Sequence, residues 1–229
     1  PDVEFRLETL GSFLEQLTEQ GITQVCFAGA IRRAEIDLTL IDAATQPLVA
    51  RIASALAQGD DGALKIVIEI FEQWGFTVVG FDQIAPDLLP PAGVLTARAP
   101  QLHDQEDAAR AAAVIATISP LDLGQACAVA NGHVLAVDAY GGTEWMLHSL
   151  TTRDEAWPQG GILFKAPKNG QDRRVDLPAI GLATCQQVKQ AGLEGIVIHH
   201  GGVVVLNLAQ VIAEANRLGL FIWVRENQL

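Results

Sequence analysis

The chain has 229 residues, of which 49% are apolar and 18% charged, and it carries a formal net charge of −12. This composition excludes a disordered chain, and the length suits one large or two compact domains. An acidic surface repels nucleic acid, and no apolar run nears the roughly 20 residues a membrane span needs, so neither nucleic-acid binding nor a transmembrane segment is expected.

Taken in chain order, residues 5–20 place Leu7, Leu10, Phe13, Leu14 and Leu17 on one helical face, and Gly21 stops the pattern. "TQVCFAGA" follows as a buried strand ending in small residues. Helices are predicted over 47–58, with Pro47 in the first turn, and over 60–74, and "FTVVGF" is the next strand. This alternation favours a parallel sheet with helical cover. "IAPDLLPPAGVLTARAP" then places four of the ten prolines in seventeen positions, which reads either as an interdomain connection or as a long loop packed on one domain. Placing the boundary there gives an N-terminal domain over 1–98 and a C-terminal domain over 99–229.

The second half reads differently. Residues 104–118 look helical, and "GQACAVANGHVLAVDA" forms two strands around Asn131-Gly132, a hairpin signal. A helix over 142–150 is expected to be capped by Thr143. "GILFKAP" is a strand, "GLATCQQVKQAG" a helix, and "GIVIHHGGVVVLN" a second hairpin turning near Gly201-Gly202. A last helix over 209–218 precedes the strand "LFIWVR". The fold class is therefore α/β, parallel in the first half and mixed with hairpins in the second. Cys26, Cys127 and Cys185 are odd in number and far apart, as expected of reduced, buried thiols in a cytosolic protein without a structural metal site.

Candidate chemistry concentrates in "KAPKNGQDRRVDLP". Lys165, Lys168, Arg173 and Arg174 are four of the fifteen basic residues of an acidic chain, at the end of a predicted strand, where α/β sheets meet ligands. Arginine forks and lysine ammoniums both suit phosphate oxygens, although by composition alone such a loop is more often simply solvated. Asp176 sits among Val175, Leu177 and Pro178, so its carboxylate should be partly desolvated and needs a partner. An ion pair with Arg174 is one solution, and a magnesium ligand or a base that orients water is the other. Asp122 and Gln125 flank Gly124 ahead of the first hairpin. Thr143 and Glu144 stand at a helix start, where free N–H groups attract anions. His199 and His200, adjacent on a strand, point to opposite faces and make poor joint ligands; His103, His133 and His148 have no partner at metal spacing.

In order, "LDLGQ", "VLAVDAYGGTEWML", "LFKAPKNGQDRRVDLPAIGLAT" and "AGLEGIVI" resemble the UDP-2,3-diacylglucosamine pyrophosphatases of the lipid A pathway, the family also catalogued as a conserved domain of unknown function. "VCFAGAIRR", "GDDGALK" and "FEQWGF" carry the resemblance less sharply in the first half. The resemblance implies two α/β domains, the first Rossmann-like, with substrate in the cleft between them. It implies magnesium-dependent hydrolysis of UDP-2,3-diacylglucosamine to UMP and lipid X, with Asp176 as the essential aspartate.

On that reading Lys165, Lys168 and Arg174 hold the pyrophosphate. Asp176, with Asp122 or Glu144, binds magnesium, and Gln125, Thr143 and Gln171 position phosphate or sugar. Where the family has Glu-Gly-Thr-Asp this chain has Gly141, Gly142, Thr143 and Glu144, and Asn169 stands where proline is common. The chain opens at Pro1 without the family's first strand and glycine-rich loop, so a preceding segment is expected to be missing. A cytoplasmic location with at most peripheral contact at the cytosolic face of the inner membrane is expected, and a homodimer is allowed. The alternative is a nucleotide-sugar or lipid-binding module without catalysis.

Overall fold

A computed structural model describes residues 6–29, 36–57 and 60–226. The chain divides into two units, one running to Ile84 and including Arg174–Asp176, the other comprising Ala85–Arg173 and Leu177–Leu229. Phe5, Gln58, Gly59 and Ala30–Arg33, on which parts of the first-half expectations fall, lie outside the described residues.

In the first unit, helix α1 (Leu10–Glu19) follows a 3-10 turn and buries Leu10 and Leu14. Helix α2 (Val49–Leu56) follows a 3-10 turn that holds Pro47, whose fixed φ suits a first turn. Strand β1 (Gln24–Val25) and strand β2 (Thr77–Val78) pair in parallel, on either side of α2 and helix α3 (Asp60–Gln73) in the chain. Both strands are shorter than their apolar runs predict. Their backbone ladder covers only Gln24 opposite Thr77 and Val25 opposite Val78. A short helix, α4 (Phe81–Ile84), closes the unit. Leu14, Ile52, Ile68, Ile70, Phe71 and Phe76 form its core, against which Val175 from the basic segment packs.

The second unit is built on a six-stranded mixed sheet. It contains β3 (Gly93–Val94), β4 (Ala126–Ala130), β5 (His133–Val137), β6 (Ile162–Lys165), β8 (Gly195–His199) and β10 (Phe221–Arg225), in the order β3-β10-β8-β6-β4-β5. Strands β6, β8 and β10 are parallel, whereas β4 runs against both β6 and β5. Period-two alternation sends Ala128, Leu163, Ile196 and Ile222 to one face and Cys127, Val129, Phe164, Val197 and Phe221 to the other. Helix α5 (Leu102–Ile118) covers the second face through Ala108, Ala111 and Ile115. The first face is covered by α6 (Gly142–Ser149), α7 (Leu182–Gln190) and α8 (Leu208–Leu218), through Met146, Leu147, Cys185, Val188, Val211 and Ala215.

The first hairpin forms as expected, with Asn131 and Gly132 both at positive φ, the requirement of a two-residue turn of this hand. The second does not. Both edges of β8 are taken by parallel neighbours, so β9 (Val204–Val205) leaves the main sheet and pairs instead with β7 (Ala179–Ile180). The proline-rich stretch is not a bare connection, because it carries β3, the antiparallel edge partner of β10 in the second unit. Thr143 does not cap α6; Gly141 is the cap residue. Among the described residues no helix is long and apolar enough to cross a membrane.

Leu163 lies at the middle of the sheet with no exposed surface. Leu163→Ala is expected to lower stability by about 2–5 kcal/mol, the range for a cavity in a packed core. Urea denaturation checks this; a loss below 1 kcal/mol would place Leu163 outside the tight core.

Candidate active site

The strand directions gather loops from distant sequence at one edge of the second unit. Strands β5, β6, β8 and β10 end there, and β4 begins there. The segments 122–125, 138–143 and 165–171 therefore meet where parallel strands leave their C-terminal ends, the usual position for a ligand in an α/β sheet.

Lys165 is the last residue of β6. Register with Ala126 and Ile198 turns its side chain to the face covered by α6 and α7, and it is only 9% exposed. A buried ammonium needs partners. Its Nζ donates to Thr143 Oγ1 at 3.2 Å and to the Ala179 carbonyl at 3.1 Å. The Thr143 hydroxyl in turn donates to Asp138 Oδ2 at 3.2 Å, which explains why Thr143 is not an N-cap.

Asp138, at the end of β5, is buried, and its Oδ2 also faces the Gln125 backbone N–H at 3.5 Å. Its other oxygen, Oδ1, has no hydrogen-bond partner, and neither does the buried Oε1 of Gln125. Burial pushes the Asp138 pKa up, while Thr143, the Gln125 N–H, Lys165 and Lys168 pull it back. This residue was not singled out from the sequence. Its signal there is an acid ending the apolar run "VLAV", immediately before the glycine pair.

Gly124 makes the arrangement possible. A Cβ at this position would stand 2.1 Å from the Asp138 carbonyl oxygen, so any other side chain would push segment 122–125 off β5. Two residues before it, Asp122 adopts a left-handed conformation, and its Oδ1 accepts from Lys168 Nζ at 2.5 Å. Gln171 is buried, and its Oε1 accepts from the Lys168 N–H at 2.8 Å, which folds the basic loop on itself.

Four of the candidate pairings thus come together in one unit: Lys165 with Thr143, Lys168 with Asp122, Lys168 with Gln171, and Gln125 with Asp138. The other candidates have different surroundings. Arg174 donates to Glu72 of α3 at 2.7 Å within the first unit, whose contacts also include the half-buried Asp176. Arg173 donates to the Gly201 carbonyl. Glu144 is exposed on the first turn of α6, in a cleft of about 430 Å³ that it lines with Gly141, Trp145, His148, Gln187 and Gln190.

Hard-oxygen donors for a cation such as magnesium are therefore present, in Asp122 and Glu144 of the second unit and in Asp176. A different donor set, His103, Asp104 and Glu194, brings ligand atoms within 4.8 Å of one another. It lies at the start of α5 and before β8, the opposite edge of the sheet from Lys165, and Glu194 there pairs with Arg98. Two of the three cysteines are buried as expected: burial pushes Cys127 up to about 12 and Cys185 up to about 11, so both stay as thiols, whereas Cys26 is only half-buried.

A raised carboxyl pKa has a defined effect on stability. The folded chain keeps the Asp138 proton at a pH where the unfolded chain, near 3.9, has released it, so this group's stabilisation is present below that value and is lost as pH rises through the raised one. Asp138→Asn has no such titration. Relative to the parent, the variant is expected to gain stability as pH rises from about 4 and then level off. Urea midpoints at a series of pH values test this, and a difference that is constant with pH would contradict it.

Comparison with known proteins agrees with this division of the chain. Residues 91–223 match the family described as the LpxI C-terminal domain, and residues 1–88 match the LpxI N-terminal domain. Over 227 residues the chain is 35% identical to the UDP-2,3-diacylglucosamine pyrophosphatase LpxI of Caulobacter vibrioides, across 97% of this chain and 81% of that protein.

Proposed function

The chain belongs to the LpxI family, and on that premise we propose that it hydrolyses the pyrophosphate bond of UDP-2,3-diacylglucosamine to UMP and 2,3-diacylglucosamine 1-phosphate (lipid X). The observation that carries this reading is the buried Lys165 ammonium at the C-terminal edge of the parallel strands, with Lys168 three residues on. A positive charge held in a site of low polarity stabilises developing phosphate charge far better than one in water, and it needs no reorganisation during the reaction.

In this reaction Lys165 and Lys168 bind the bridging and terminal oxygens of the diphosphate. Gln125 and Gln171, with the backbone N–H of Thr143 at the start of α6, fix the orientation of phosphate and sugar. The buried Oε1 of Gln125, which has no protein donor, suits a sugar hydroxyl. Asp176 would hold magnesium, and Asp122 and Glu144 are the further hard-oxygen donors of the second unit. The metal, when bound, polarises a phosphoryl oxygen and lowers the pKa of water. The acyl chains need apolar surface. Leu121, Leu123 and Tyr140, in the connections at the Lys165 edge, and Trp145, on the first turn of α6, are exposed and supply it, which is consistent with peripheral contact at the cytosolic face of the inner membrane.

One observation favours the competing reading of a binding module without catalysis. At Gly141, where the family carries an acid, an added Cβ would stand 2.9 Å from the Trp145 ring, so the position seats an aromatic ring and not a carboxylate.

Phosphorus NMR of the protein with magnesium and UDP-2,3-diacylglucosamine separates the two. Release of UMP supports hydrolysis, whereas saturable binding with unchanged phosphorus signals supports the module. Lys165→Met is expected to lower kcat by about 10²–10³-fold, the range for removing one preorganised charge donor. Asp176→Ala is expected to abolish turnover while retaining substrate binding by isothermal titration calorimetry; retained turnover would remove Asp176 from the mechanism.

A further inference from the structure

The proposed chemistry uses Lys165 but leaves unexplained why a second charged group, Asp138, is buried beside it. The hydrogen bonds have a direction. Nζ of Lys165 donates to Thr143 Oγ1, and the single hydroxyl proton of Thr143 goes to Asp138 Oδ2. A threonine hydroxyl rotates freely unless an acceptor fixes it. With its proton committed to Asp138, it presents lone pairs, and not its proton, to the ammonium. Asp138 is itself fixed, by the end of β5, by the Gln125 N–H and by the close approach that Gly124 allows. Burial makes such a carboxylate costly, and the fold retains it with one oxygen unpaired. Groups kept against their own desolvation cost are characteristic of functional sites.

We propose that Asp138 is a positioning residue for the reaction: acting through the Thr143 hydroxyl, it holds the Lys165 ammonium charged and aimed at the sheet edge where the diphosphate binds. Asp138 does not touch substrate in this assignment. Its role parallels outer-shell partners that orient a ligand-binding group, whose removal typically lowers activity by about 10–100-fold. The inference rests on the pyrophosphatase reading for its link to turnover, whereas the hydrogen-bond chain itself does not.

The test therefore has two readouts, applied to Asp138→Asn, Thr143→Val and the double variant. The first is residue-resolved acetylation of lysine, followed by mass spectrometry at fixed pH. The chain has four lysines, and the exposed Lys65 and Lys189 serve as references. Loss of the chain is expected to raise the Lys165 rate by about fivefold or more, the worth of one hydrogen bond, with the references unchanged. The second is hydrolysis kinetics. Each single variant is expected to lower kcat by about 10–100-fold with KM within about threefold, Thr143→Ser to recover most of the loss, and the double variant to add little, as for two members of one chain.

A Lys165 rate equal to the parent's in both single variants overturns the proposal, even if kcat falls. So does a double variant whose losses add in full. If the parent chain hydrolyses nothing while the acetylation pattern appears as expected, the pyrophosphatase reading falls and the Asp138–Thr143–Lys165 chain stands.

Discussion

A positive charge inside an α/β sheet is the constraint around which the second unit is arranged. Lys165 extends from the end of a central strand into the layer between sheet and helices, where water cannot solvate it. An unpartnered ammonium there would be several kcal/mol too costly. The fold answers with a hydroxyl, a backbone carbonyl and, one hydrogen bond further out, a carboxylate. Each comes from a different part of the chain: the start of α6, the first residue of β7, and the end of β5. None of these elements could shift by a turn without stranding the charge.

Strand direction determines why they meet. Because β4 is antiparallel to both of its neighbours, the loop before it and the loops after β5 and β6 open on the same edge. The alternation that turns Leu163 into the helical face turns Lys165 to the same side two residues later. The hairpin at Asn131-Gly132 starts the β4–β5 ladder, and a register shift between Ala128 and Val129 resets it before Asp138 meets Gln125 and Gly124. The turn and the bulge together set the polar geometry at the other end of the sheet.

The basic loop illustrates how a single run of charge can serve several purposes. Lys165 is drawn inward, Lys168 is paired with Asp122, Arg173 reaches a backbone carbonyl, and Arg174, which belongs to the first unit, reaches Glu72 of the same unit. Val175, between the arginines and Asp176, packs on the first unit's core. A run that reads as one cationic patch is divided into a buried ammonium, a loop staple and a structural anchor.

The sequence by itself was enough for the long periodic helices, the two-unit α/β organisation and the first hairpin, because these depend on local spacing and on turn residues that few other conformations tolerate. It also made visible that basic residues cluster between Lys165 and Arg174 beside Asp176, since clustered cations in an acidic chain are a local property. It did not reveal that β9 pairs with β7, because an apolar run carries no mark of its partner once both edges of its neighbour are filled. Nor did it reveal Asp138, an isolated acid whose meaning comes from lying under Thr143 and Lys165, five and twenty-seven positions away. Only the tertiary structure decided which cation is buried and which carboxylate answers it, because desolvation is a property of the packed sheet and not of neighbours along the chain.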